Sequence, residues 1–319
     1  MGTYILRRTL IAIPTLLGIS IVIFAILALA PGDPLAQFAA DPSVPPEVRE
    51  RIRDSLGLND PWYIRYFKWL WALVQGDWGF SFASRVPVID LIGQRMPQTL
   101  LVLGLAYVLS IFIAIPIGVF SAVKPYSWFD NIATTFAFIG FSVPTFFTGL
   151  VLILIFSVNL NWLPFIYDST LEVNSWDTFV QQFKQMIMPV TVLGLFQTGT
   201  LTRFVRASML ENMPMDYTRT ARAKGLQEQV VILKHVLRNS LIPVVTLIAL
   251  GVPTIFTGAI VTEQIFRING IGELLIRSIQ NSDTPVVMAI TFIFAVLVVM
   301  FNLIADVLYG ILDPRIRYS

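Results

Sequence analysis

Asp216-Tyr-Thr-Arg-Thr-Ala-Arg-Ala-Lys-Gly-Leu-Gln-Glu-Gln-Val-Val-Ile-Leu-Lys-His-Val-Leu-Arg-Asn239 is a polar stretch between two long apolar runs, with helix-forming sequence on both sides of one glycine, Gly225. It carries five of the chain's 22 Lys and Arg residues and its single His. Asp216 fits an N-cap, Thr218 to Lys224 read as two helical turns ending in a cation, and Gly225 supplies the left-handed residue that ends such a helix. Leu226, Val230, Leu233 and Leu237 then recur at spacings of four, three and four, which predicts one apolar face on a second short helix. The expected object is a stiff pair of short helices meeting at a glycine corner, a shape suited to docking.

Working outward, the 319 residues are 55% apolar and 13% charged, with a mean hydropathy of +0.73. Soluble domains carry roughly 25% charged residues, and the deficit, with apolar runs of about 20 residues, assigns the chain to a bilayer. A net charge of +2, with no basic cluster interleaved with aromatics, argues against a nucleic-acid surface. The absence of cysteine excludes disulfides and thiolate chemistry, and one histidine cannot build a metal-ligand cluster. The apolar run Thr9 to Ala30 is too long for a cleaved signal peptide and reads as a retained first span. Leu6 stands where a myristoylation signal wants Ser or Thr.

Six spans are drawn, at 9–30, 98–123, 132–158, 187–209, 241–262 and 286–309. The fourth is diluted by Gln197, Thr198, Gly199, Thr200 and Thr202, a stripe open to two readings, helix packing or a polar pathway. Arg7, Arg8, Lys124, Arg203, Arg206, the cations of the opening stretch, Arg315 and Arg317 all fall on one side. The opposite short loops hold Lys184, Arg267 and Arg277, so both termini and the 211–240 segment are expected in the cytoplasm.

The long first loop, 31–97, reads as built. Pro45 to Asp54 has the prolines, early acids and late arginines of a short helix stopping near Gly57. Asp60 to Val74 is rich in Trp and Tyr and is expected along the outer leaflet or packed on the spans, as part of an external cap. Asn269-Gly-Ile-Gly272 is an external turn, not a phosphate loop, because the glycine pattern fails at Leu275. Prolines and glycines punctuate the spans, among them Pro116, Gly118, Pro144, Pro189, Pro243 and Pro253, and permit kinks. No P-loop, zinc-protease motif or catalytic triad is present; His235 among cations suits a structural or contact role. Asp306, with Asn302 one turn earlier, reads as a packing or headgroup contact, the alternative being a relay in an ion-coupled secondary transporter.

The chain resembles the permease subunits of bacterial binding-protein-dependent ABC importers, in the branch handling dipeptides, oligopeptides and nickel. Their cytoplasmic signature is E-A-A, three residues, G, nine residues, I-x-L-P; Ala221, Gly225 and Leu237 match it. Arg219, Thr220, His235 and Arg238 depart from it in the manner of the peptide branch, whose form resembles Arg219 to Gly225 and His235 to Pro243. Pro31-Gly-Asp-Pro34, Gly76-Asp-Trp-Gly-Phe-Ser81, Phe141-Ser-Val-Pro-Thr-Phe146, Gly270-Ile-Gly272 and Asp313-Pro-Arg-Ile-Arg317 also resemble that branch, with Asn269 where proline is common. The resemblance implies an all-α integral membrane protein with the six-helix fold of type I importer permeases and a helical extracytoplasmic loop between the first two spans. It implies alternating access without catalysis by this chain, which needs no cofactor of its own; ATP and magnesium belong to partner subunits. The implied partners are a second homologous permease, two ATPase subunits, an extracytoplasmic solute-binding protein and membrane lipid, in the bacterial inner membrane. It makes Arg219, Ala221, Arg222, Lys224, Gly225 and Leu226 the ATPase-coupling residues, with Ala221 the small residue at the contact and Gly225 the corner. Arg222 and Lys224 would pair with acids on the partner, or simply hold the loop in the cytoplasm.

Overall fold

The computed structural model describes residues 2–29, 45–55 and 57–312, which are helical apart from their connections and one isolated bridge between Phe80 and Pro87. Helix α1 (Gly2–Leu29) covers the first apolar run, and α2 (Pro46–Ser55) and α3 (Trp62–Val74) belong to the external loop before α4 (Val88–Val123). The third apolar run holds α5 (Trp128–Ser142) and α6 (Thr145–Leu152), continued by a π-helical stretch over Ile153–Asn159. Helix α7 (Trp176–Asn212) leads to α8 (Asp216–Ala223), then α9 (Glu228–Val230), which passes through a π-helical stretch at Val231–Val236 into α10 (Leu237–Phe266). Helices α11 (Ile271–Gln280) and α12 (Thr284–Leu312) complete the chain. The Pro31–Pro34 and Asp313–Arg317 stretches lie outside the described residues.

Four helices among the described residues are long and apolar enough to cross a membrane: Ile5–Leu29, Val88–Val123, Glu228–Pro253 and Thr284–Leu308. The span expected over 132–158 is broken into a pair, α5 and α6, whose axes differ by 103°. Pro144 explains the break: it has no N–H to donate, and its ring pushes Val143 out of the helical region to φ −83°, ψ 126°. Counted as one span, the pair makes five. The remaining expected span, 187–209, falls within α7, which is 37 residues long but more polar than the other spans. Helices α4 and α7 also outrun the apolar segments drawn for them, each reaching about 55 Å at 1.5 Å per residue.

Helix α7 is the central post, packed on α4, α5 and α10, while α10 in turn meets α12, and α12 carries α1. Glycines permit the closest approaches. A Cβ on Gly118 of α4 would stand 2.7 Å from Val205 of α7, and one on Gly199 of α7 would stand 2.5 Å from the Ala137 carbonyl of α5. Of the polar stripe, Gln197, Gly199 and Thr202 are buried between helices, and Thr198 and Thr200 are half-buried. Asp130, buried at the start of α5, takes a two-pronged contact from Arg206 at 2.6 and 2.7 Å and the Tyr126 N–H at 2.7 Å. At the far ends of the chain Arg8 meets Asp306 at 3.2 Å, so Asp306 serves helix packing.

Candidate functional site

The opening stretch folds as a knob at the end of α7 and α10. Helix α8 begins one residue earlier than an Asp216 cap requires: Met215 is the N-cap, and Asp216 is a fully exposed first-turn acid. Its carboxylate still suits the positive end of the helix. Thr218, fully buried, donates to the Asn212 carbonyl at 3.1 Å and ties α8 back to α7. The helix stops as expected at Gly225, with φ +75°. Gly225 N–H bonds the Arg222 carbonyl at 2.9 Å and Leu226 N–H bonds the Ala221 carbonyl at 3.4 Å, the paired closure of a Schellman ending.

Beyond the corner the expected second short helix is replaced. Helix α9 is three residues long and merges, through the π-helical stretch, into the long α10. The wider turn shifts the register, so Val231 and Val236 are fully buried, while Leu226, Val230 and Leu233 are exposed by 40%, 37% and 60%. Of the predicted apolar face, Leu237 alone packs at the core edge.

Ala221 is on the inner side of α8, 4% exposed, in a cluster with Val119, Val205, Met209, Val231, Val236 and Val244. It is thus where the knob grips its own bundle. Below it Ser208 Oγ donates to the Ser240 carbonyl at 2.9 Å and clasps α7 to α10, while the Ser240 hydroxyl is nearest the Val236 carbonyl, also at 2.9 Å. Arg222 is engaged within the chain: its Nη2 meets Glu228 Oε1 at 2.6 Å and its Nε meets Oε2 at 3.0 Å, bridging the corner. The pair raises the pKa of Arg222 and holds the Glu228 carboxyl below its usual value. Arg219 and Lys224 point to solvent, and every residue from Arg222 to Val230 is exposed. His235 is half-buried, and its carbonyl accepts the Asn239 amide at 2.7 Å. The site thus has an outer face of exposed cations and aliphatics on a body locked from within. Among the described residues no group of His, Cys, Asp or Glu is arranged to hold a metal.

Two buried carboxylates at the other end of the bundle went unread in the sequence. Glu263, 2% exposed, accepts the Thr99 hydroxyl at 2.6 Å and the Glu273 N–H at 3.0 Å, and so receives the N-terminus of α11. This accounts for Gly270-Ile-Gly272: a Cβ on Gly270 would fall 2.1 Å from Glu263 Oε1, and one on Gly272 2.6 Å from Ile260 Cα. Asp283 accepts the Ser81 hydroxyl at 2.5 Å, the Phe82 N–H at 3.0 Å and the Ala83 N–H at 3.2 Å, pinning the Gly76–Ser81 loop to the start of α12.

A long helical bundle with a glycine-cornered knob is the geometry that the resemblance led one to expect, and comparison with known proteins agrees. Residues 114–318 match the family model described as binding-protein-dependent transport system inner membrane component, and residues 1–103 match that of its N-terminal part. The chain belongs to this family. It is 47% identical to the oligopeptide transport system permease protein AppB of Bacillus subtilis, over the full length of both. It is 38% identical to the dipeptide transport system permease protein DppB of Escherichia coli and 38% identical to its glutathione transport system permease protein GsiC, again over all of each chain. It is therefore an all-α, multi-pass permease subunit of an ABC importer in the inner membrane, and not an enzyme, ATP hydrolysis residing in separate subunits.

Proposed function

We propose that this permease carries peptides, or a small solute of similar chemistry, as one half of a membrane channel completed by a second homologous permease. Two ATPase subunits holding ATP and magnesium dock on the knob from the cytoplasm, and an extracytoplasmic solute-binding protein delivers cargo to the other end. In this reading residues 1–319 form a single membrane domain of six spans, counting α7 and the bent α5–α6 pair, with both termini cytoplasmic. Residues 31–97 form the external loop and 211–240 the coupling segment. The solute-binding protein meets the external loop and the 263–284 segment, and cargo passes along α5 to α10.

The observation that carries this is the two-sided character of residues 216–239. The inner side is cemented by Ala221, Val231 and Val236, so a push on the knob is delivered to α7 and α10 together. The outer side leaves Arg219, Lys224, Leu226, Val230 and Leu233 open to a partner. Gly225 fixes the angle between the halves, and Arg222, through Glu228, braces it.

The test is reconstitution of the whole importer with replacements on the outer side. Leu226→Ser with Leu233→Ser should lower recovery of the ATPase subunits with the permease and lower solute uptake, the permease itself remaining folded. Unchanged recovery and uptake would remove the outer face from the coupling contact. Uptake by the permease alone under a proton or sodium gradient would favour an ion-coupled carrier instead.

A further inference from the structure

Helix α11 begins without a cap of its own. Its N-cap is Gly270, which has no side chain to offer, and its first residues, Ile271 and Gly272, are buried. A helix start shut away from water leaves N–H groups that must find acceptors. They find them on two other helices: the Ile271 N–H donates to Thr99 Oγ1 of α4 at 2.8 Å, and the Glu273 N–H to Glu263 Oε2 of α10 at 3.0 Å. Thr99 in turn donates its hydroxyl to Glu263 Oε1 at 2.6 Å, which closes the set. Gly272 leaves the space for it, since a Cβ there would stand 2.9 Å from Oε2.

A Ser or Asp at position 270 would cap such a helix, but it would fasten α11 to nothing. Glu263 stands in the last turn of α10, where a carboxylate opposes that helix's own dipole; the favourable field is the one at the start of α11. The acid therefore answers to α11 rather than to the helix that carries it. Packing of Ile271, Leu274 and Leu275 on Val88, Ile92, Val286 and Ile290 sets which side α11 turns to the bundle, a kind of contact that tolerates small sliding. The carboxylate fixes the end. Helix α10 runs unbroken for 30 residues, about 45 Å, through Pro243 and Pro253, and at its other end Val236 and Val244 pack with Ala221 of the knob.

We infer that Glu263 is a positioning residue of the transport cycle: it fastens α11 to α10, so that a displacement entering α10 at the knob leaves it as a displacement of α11 at the far end of the bundle. The inference rests on the docking of ATPase subunits at the knob proposed above. Because α11 belongs to the 263–284 segment, the surface that moves is the one offered to the solute-binding protein.

The test is made on the complete importer in proteoliposomes carrying Glu263→Gln, which keeps the shape of the side chain and removes its charge. Protection of the amides across residues 271–273, taken against intrinsic exchange, should fall by about thirtyfold, the upper end for a partly buried charge at a helix terminus. The ratio of ATP turnover with and without the solute-binding protein and a mixture of short peptides should fall toward one, and peptide uptake with it. Recovery of the ATPase subunits with the permease should stay at the wild-type level, which a general loss of fold would not allow. Thr99→Val, which removes one hydroxyl and leaves the carboxylate, should give the same split in smaller measure, and Thr99→Ser should restore both readouts; this pair serves if Glu263→Gln fails to fold. Unchanged protection, or lost protection beside wild-type stimulation and uptake, overturns the inference and leaves the docking reading in place. Wild-type uptake by Leu226→Ser with Leu233→Ser removes that reading, and the inference with it.

Discussion

Replacing Gly225 separates backbone conformation from crowding, because a Cβ added there meets nothing within 4 Å. Whatever a substitution costs must come from holding φ near +75°. For an ordinary L residue the left-handed region costs roughly 1–2 kcal/mol, Asn tolerates it better, and a β-branched residue fares worst. Gly225→Val should thus carry about 2 kcal/mol of strain at the corner, a shift of about thirtyfold against the closed geometry. Gly225→Ala should cost about half as much and Gly225→Asn less again. The Leu226 to Ala221 and Gly225 to Arg222 bonds are the ones put at risk, and with them the angle at which α8 meets α9. The measurement is solute uptake and ATP turnover by the complete importer in proteoliposomes, beside thermal unfolding of the same preparations. Uptake should fall in the order Gly, Asn, Ala, Val, while ATP turnover loses its dependence on the solute-binding protein. Wild-type transport by Gly225→Val, or failure of Asn as complete as that of Val, would refute the rigid corner.

Asp130→Ala takes the two-pronged acceptor from Arg206, which is partly exposed to water, and leaves the Tyr126 N–H unpaired; it should destabilise the permease by about 1–3 kcal/mol, whereas the double replacement Asp130→Leu with Arg206→Met should recover most of it; thermal unfolding in nanodiscs reads both. Gly199→Ala forces α5 away from α7 at the Ala137 carbonyl and should cost about 1–3 kcal/mol by the same assay, where no change would mean the two helices slide freely. Glu228 has a folded pKa below its unfolded one, so its contribution is present at neutral pH and is lost as pH falls through the depressed value. Protection of the amides across residues 222–228, taken against intrinsic exchange at each pH, should therefore fall only in acid, and in Glu228→Gln it should be low at every pH.

The glycine corner was legible in the sequence because its cause is local: a left-handed residue after two helical turns needs nothing from the rest of the chain. The register beyond it was not, since spacings of four, three and four assume 3.6 residues per turn and the π-helical stretch departs from that. Thr218 and Ala221, small residues three apart on a helix otherwise rich in cations, were the available signal for the inner face of α8. Apolar runs located the spans but missed their length, because Asp90, Gln94 and Arg95 of α4 are helical without being apolar. Glu263 and Asp283 escaped for another reason: hydroxyls and backbone N–H groups satisfy them in place of a cation, and Asp283's partners at Ser81–Ala83 lie about 200 positions away in sequence.

The break at Pro144 bears on where lipid can be. Hydrocarbon offers no hydrogen bonds, so backbone that leaves a helix at membrane depth is tolerated only against protein or water. Midway along the apolar run 128–159, the extended Val143 makes such a place, and Arg203 stacks over the rings of Phe138 and Phe141 just before it, at 5.0 and 4.7 Å. Residues 141–145 are therefore expected to face protein or water rather than acyl chains.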